Sequence, residues 1–519
     1  TEEINTSFGT NLSIGTVAIT PFGSVKLGEV LVLDHHKDTL FYIKKLNTSI
    51  LSFKKIYNPG HPYLKNVVMH GLDARIVNYK NEDYTNLDKF IEAFDDGSPS
   101  SGKFRMKANK MTLFNSRFRY IDENLKSPKV LDFTNLNANI EDFFIKGANV
   151  TTFIDQLTFK DHRGLEVKKL TADFTYTKKN ILLEQLAMNT PNSEMKGRVE
   201  LKYDRKDFSD FNNKVVFDVQ FDKAAIASND LNFFYNEFGK NNVFYVDTHL
   251  IGTLNNFTTH YLKLTDKNQS EIIGKANFQN LFGKGDQEFY MKGSFDRITS
   301  DYNALKSIMP RVLGKNLPSV LAKLGRVDLN GDVELTQKYI NANVYLLSKL
   351  GIVDGDLAIQ NIDNIDNATY KGNVILDKFN VGSLLNRNEL GLVSMNSDVD
   401  GKGFTLKLID TKFNGKISKL EYNNYTYTGI LVNGNFKKPI FKGKVNVNDP
   451  NLFMEFDGIV DVSKNENVYK FDTKIDYANL SKLKLVKNDS ISIFKCKIYS
   501  NLVGNCVNNL YGDVLIVET

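Results

Sequence analysis

A handful of residues have the types that chemistry uses, and their spacing decides what each can do. His35-His36 sits in the turn Asp34-His-His-Lys-Asp38, and imidazole nitrogens are common metal ligands. No Cys, His or acidic cluster with metal spacing surrounds the pair in the sequence, so it is expected to be solvated. His61, between Gly60 and Pro62, reads as a loop residue. Asp354-Gly-Asp356, and Asp363 with Asp366, offer paired carboxylates of the kind used in acid–base work, but polar turns carry such pairs commonly. Gly283-Lys-Gly-Asp shares only glycines with a phosphate loop, and no helix clearly follows it. Cys496 and Cys506 are ten apart across Ser500-Asn501, placed either for a disulfide or as two separate buried thiols. No Gly-x-Ser-x-Gly, Walker loop or dinucleotide fingerprint stands in a supporting context. The expectation is a protein that is not an enzyme, with no catalytic residue, metal ligand or cofactor.

The pattern the chain does repeat is an oily face. Phe217, Val219 and Phe221 alternate with Asp218, Gln220 and Asp222; Phe441, Val445 and Val447 alternate with Lys442, Lys444 and Asn446. Tyr469, Phe471 and Ile475 share a phase against Lys470, Asp472 and Lys474. Successive strand side chains point to opposite faces, so each run has one apolar and one polar side. These nine residues are the candidates for lining an apolar groove. The same alternation also builds a closed β-sandwich or a filled solenoid, in which they are ordinary core.

The elements that must position them are strands from end to end. Residues 1–83 read as short strands, and 84–102 as a helix and polar loop. In that helix Leu87, Phe90, Ile91 and Phe94 share a face, and Thr85 or Asn86 can cap it. Residues 103–301 read as strands with a short helix near 228–238. Residues 302–326 read as a helical insertion interrupted by Pro310 and Pro318, and 327–519 as strands joined by Asn, Asp, Gly and Lys turns. The fold class is mainly β: one long continuous twisted sheet with a few short helices. No Pro/Ser linker divides the chain, and the strand spacing keeps no fixed period. Lys+Arg 66 against Asp+Glu 61 leaves a net charge of +5 spread evenly, too weak and mixed for a nucleic-acid partner. No run of about 18 apolar residues is present. The polar start Thr1-Glu-Glu-Ile and the closing strand Gly512-Asp-Val-Leu-Ile-Val read as cuts within a longer protein.

Ile14-Gly-Thr-Val-Ala-Ile with Val25-Lys-Leu-Gly-Glu-Val-Leu-Val-Leu-Asp34, and Tyr84-Thr-Asn-Leu-Asp-Lys-Phe-Ile, resemble the opening strands and first helix of the AsmA-like superfamily, TamB type, of Bacteroidota-like bacteria. Gly372-Asn-Val-Ile-Leu-Asp-Lys-Phe and Asn448-Asp-Pro-Asn-Leu-Phe-Met-Glu-Phe are similar to internal repeats of that family. The resemblance implies a periplasmic β-structure curled like a taco around an apolar groove that holds phospholipid acyl chains. It further implies an inner-membrane anchor helix before Thr1 and, beyond Thr519, a C-terminal domain meeting an outer-membrane insertase-type barrel. The expected function is a periplasmic bridge conducting phospholipid between inner and outer membranes. The alternative is a scaffold for outer-membrane protein insertion, and a weaker one an extracellular polysaccharide-binding β-solenoid.

Overall fold

A computed structural model describes residues 2, 5–6, 10–20, 24–50, 63–92, 105–125, 129–147, 149–233, 238–281, 288–308, 319–362, 364, 366–403, 408–437, 439–462, 466–486, 492–505 and 509–517. They form 27 strands assigned to one mostly antiparallel sheet, with five short α-helices. The chain divides into two compact units. One spans Thr1–Lys267 and takes in Ile308; the other spans Asn268–Ser307 and Val312–Thr519.

In the first unit each strand pairs with the next along the chain. Among the described pairings one is parallel: Tyr63–Asn78 runs alongside Arg105–Asp122. A parallel neighbour cannot be reached by a tight turn. The intervening chain carries the helix Asn86–Glu92. Its start is built as the sequence suggests. Thr85 Oγ1 accepts from the Asp88 backbone N at 3.2 Å, and Asp88 Oδ2 accepts from Thr85 N at 3.0 Å. This reciprocal cap satisfies two donors that the first helical turn leaves open. The core of this unit centres on Ile154, Val167, Leu170, Ala172 and Leu186, with a second cluster of Val67, Ala108 and Met111.

The second unit is an antiparallel meander in which alternation sets the register. Val447, Met454, Ile475 and Cys496 stand side by side on successive strands, as do Val445, Phe456, Thr473 and Ile498. Phe456 lies 6.0 Å from Phe441 and 5.3 Å from Phe471 between ring centroids, so the aromatic rings of the apolar phase form a continuous row. Alternation does not run unbroken, however. Lys378 takes a left-handed backbone (φ 47°), and the pairing jumps from Leu376–Met395 to Phe379–Val393. That bulge switches the inward phase and buries Phe379, leaving Lys378 outside. In the first unit Lys223 (φ 51°) does the same between Phe221 and the fully buried Ala224.

Helices differ most from expectation. Val381–Leu385 forms a short helix where the sequence reads as strand and turn, its start capped by Asn380 Oδ1 accepting from Ser383 N at 2.8 Å. Near 228–238 only Ser228–Leu231 is helical among the described residues. The insertion at 302–326 shows an α-helix at Tyr302–Ile308 and a 3-10 turn at Ser319–Leu324. Met309, Pro310, Val312, Leu313 and Pro318 lie outside the described residues, as do Phe94, the Asp95–Gly102 loop, His61, Gly283-Lys-Gly-Asp, Asp363 and Cys506. Cys496 is buried and carries a free thiol. No described helix is long and apolar enough to cross a membrane.

Candidate functional site

Two cavities stand out, one in each unit, and their chemistry differs. The larger, about 1440 Å³, is a cleft in the second unit. Its floor runs along Gly372, Gly434, Gly443 and Gly458, where the missing side chains bare the backbone. Its lining mixes charged residues, among them Lys371, Lys412, Lys442, Asp398 and Asp457, with the apolar Val399, Phe413, Ile459 and Leu515. Lys371 pairs with Asp400 at 3.5 Å and Lys444 with Asp457 at 3.1 Å, so the wall charges answer one another. Phe471 contributes to the cleft; Phe441, Val445, Val447, Tyr469 and Ile475 do not.

The smaller cavity, about 730 Å³, is an apolar chamber in the first unit. One wall is the register row Leu12, Val32 and Phe41 on three successive strands. Another is Ile76, Tyr120 and Leu131, and a third runs Met106, Ile145, Val150, Tyr176 and Ile181. Helix Asn86–Glu92 closes the chamber with Leu87, Phe90 and Ile91, and Phe90 meets Phe41 edge-on at 6.0 Å. Phe208 covers the far end, 4.6 Å from Tyr203 and 6.3 Å from Tyr120. The described residues lining the chamber include no Lys, Arg, His or Cys; the polar ones are Asn, Asp, Thr and Tyr. Such a space favours apolar groups because it excludes water. Its volume falls within the roughly 300–1,000 Å³ typical of ligand pockets.

A buried polar anchor holds the helix over the chamber. Asn86, with no exposed surface, donates from Nδ2 to Asp34 Oδ2 at 2.8 Å and to the Arg75 carbonyl at 3.1 Å. Its Oδ1 accepts from Val77 N at 2.9 Å. The Tyr79 hydroxyl donates to Asp34 Oδ2 at 2.7 Å. Burial alone would raise the Asp34 carboxyl, but these donors and two backbone N–H groups outweigh it and hold it below its usual value. Beside this anchor, Glu82 reaches both histidines of the turn: His35 Nε2 at 3.1 Å and His36 Nε2 at 2.7 Å. The hydrogen bond to Glu82 is the main reason the His36 imidazole sits above its usual value.

The sequence candidates and the chamber are different sets. Phe217, Val219 and Phe221 share a face, but none lines the chamber. Val219 is buried against the paired residues Val199 and Leu250, and Phe217 packs on Phe211 at 5.6 Å. The six later candidates lie half-buried or buried on the apolar face of the second unit. What the strand pattern missed, the helix stripe signalled: Leu87, Phe90 and Ile91 required an apolar counterpart, and that counterpart is the chamber. Set against known proteins, the chain matches no family model, no curated protein and no solved structure.

Proposed function

We propose that the protein holds phospholipid acyl chains against its apolar β face and passes them between the two membranes of a bacterial envelope. The observation that carries this reading is the apolar chamber beneath helix Asn86–Glu92. A phospholipid's two tails carry about 30 methylenes, and at about 0.8 kcal/mol each their exposure to water costs on the order of 25 kcal/mol. An apolar surface that accepts the tails and leaves the head group wet removes most of that barrier.

A curled sheet is part of the proposal, and strand geometry in the first unit supports it. Met106 and Tyr120, near opposite ends of strand Arg105–Asp122, both line the chamber. In a straight strand they would stand about 46 Å apart at roughly 3.3 Å per residue. The pairing shifts between Leu113, Ser116 and Phe118, and bulges of this kind bend a strand. The resemblance of the opening strands and first helix to AsmA-like proteins supports the same architecture. It extends the proposal to a periplasmic location, an inner-membrane anchor and an outer-membrane partner.

Native mass spectrometry with lipid extraction, on the chain expressed in a bacterial periplasm, tests the reading. The wild-type protein is expected to carry phospholipid. Ile145 and Val150 face each other across paired strands in the chamber wall. Changing both to Trp fills the space without adding charge. That variant is expected to retain about tenfold less lipid, a loss of roughly 1.4 kcal/mol in binding. A folded wild type without lipid, or a filled variant with undiminished lipid, would sink the proposal.

A further inference from the structure

The turn between strands Ser24–Leu33 and Thr39–Ile50 meets the loop before helix Asn86–Glu92 at a cluster that lies outside the chamber. His35, His36 and Glu82 each offer one ligand atom, and the three atoms lie within 4.8 Å of one another. We infer that His35, His36 and Glu82 form a binding site for a first-row divalent transition metal, with zinc as the ion that tests it. Ligand atoms of a tetrahedral zinc, at bonds of 2.0–2.1 Å, stand about 3.3 Å apart. The contacts run to different carboxylate oxygens, His35 Nε2 to Oε2 at 3.1 Å and His36 Nε2 to Oε1 at 2.7 Å, and each is shorter than that figure, so the carboxylate already lies within reach of an ion placed between the imidazoles. Two imidazoles and one carboxylate are a donor set that favours zinc, nickel or copper over magnesium or calcium.

The rings are held before any ion arrives. His36 packs on Tyr79 at 4.1 Å between centroids, and His35 meets Tyr84 at 5.8 Å and His36 at 4.4 Å. Tyr79 is itself fixed through its hydroxyl to Asp34 and Asp38. Side-chain exposures of 27% and 44% for the histidines leave an entry path and room for water as a fourth ligand. Binding takes each ring as the neutral Nδ1–H tautomer, so that the Nε2 lone pair faces the metal and replaces the contact to Glu82. The ion would then tie the 34–38 turn to Glu82, four residues ahead of the first residue of the chamber-closing helix.

Isothermal titration of the full chain with zinc chloride at neutral pH tests the site, circular dichroism confirming the fold of each variant. One zinc per chain is expected, with affinity falling at least about tenfold in His36→Ala and in Glu82→Gln. Magnesium chloride should give no heat at the same concentrations. His249, which contacts Asp218 at 3.1 Å with His260 nearby, supplies the control. His249→Ala is expected to leave zinc binding unchanged. Absence of zinc binding, binding unaltered in Glu82→Gln, or binding lost in His249→Ala would overturn the assignment.

Discussion

Asn86→Ala is expected to cost about 3 kcal/mol and to release the helix over the apolar chamber. The side chain makes three hydrogen bonds with no exposed surface, so truncation strands the Val77 N–H and the Arg75 carbonyl and removes a donor from the Asp34 carboxylate. Each buried group left without a partner costs about 1–3 kcal/mol, although partial collapse recovers some of it. Urea unfolding gives the total, and hydrogen exchange locates it: the Val77 amide and the amides of Asn86–Glu92 should lose protection first. Asn86→Asp is the sharper variant. It sets a second carboxylate against Asp34 and cannot donate to Arg75, so one of the two carboxyls must take a raised pKa. A raised folded-state acid is destabilising when ionised. The penalty of Asn86→Asp therefore shrinks steeply as pH falls and the pair gains a proton, whereas that of Asn86→Ala shrinks less, only by the share owed to the lost donation to Asp34. Equal pH profiles for the two variants would show that Asp34 and position 86 are not coupled.

The strands were legible because alternation is a local signal. Ile440–Asp449 and Val468–Asn479 have the inward phase that Phe441, Val445, Val447, Phe471 and Ile475 announce, since a half-buried sheet forces one type of residue to each face. The capped first helix was legible for the same reason: Thr85 and the Leu87/Phe90/Ile91 stripe lie within one short window. Phase changes were not. Lys223 and Lys378 sit in left-handed bulges, and nothing in the side chain of a lysine marks it for that conformation. Val381–Leu385 escaped because Val-Gly-Ser reads as strand and turn, while its cap Asn380 belongs to the strand before it. The chamber was invisible for a deeper reason. Its walls come from strands spread between Leu12 and Tyr203, and only the closing helix carries a local sign of it. Glu82 likewise lies 47 residues from His35, so the histidine pair looked solitary until the fold supplied its third member.

Two glycines on the apolar face of the second unit give opposite expectations for the same substitution. Gly372 and Gly355 lie on adjacent strands, Gly372 opposite Leu357 and Gly355 opposite Val374. At Gly372 the backbone takes φ +148°, and an added Cβ would stand 1.9 Å from the Asp356 carbonyl oxygen. The obstacle is backbone in a paired strand, which cannot swing aside. At Gly355 the nearest atoms to an added Cβ are Leu357 Cδ1 at 3.8 Å and Asn373 O at 4.0 Å, ordinary contact. Gly372→Ala is therefore expected to destabilise by about 3 kcal/mol, combining a disfavoured backbone with a displaced ladder. Gly355→Ala should stabilise by about 0.5 kcal/mol, because alanine leaves the unfolded chain fewer conformations to lose. Urea unfolding of the two variants beside the wild type measures both, and equal shifts would refute the local cause. The contrast also bears on shape. A strand that admits only glycine at Gly372 is one that departs there from the ordinary extended path, and such departures let a long sheet turn on itself. If Gly372→Ala folds with wild-type stability, the backbone at this position does not enforce a bend, and the curl proposed for the sheet rests on the bulged strands elsewhere.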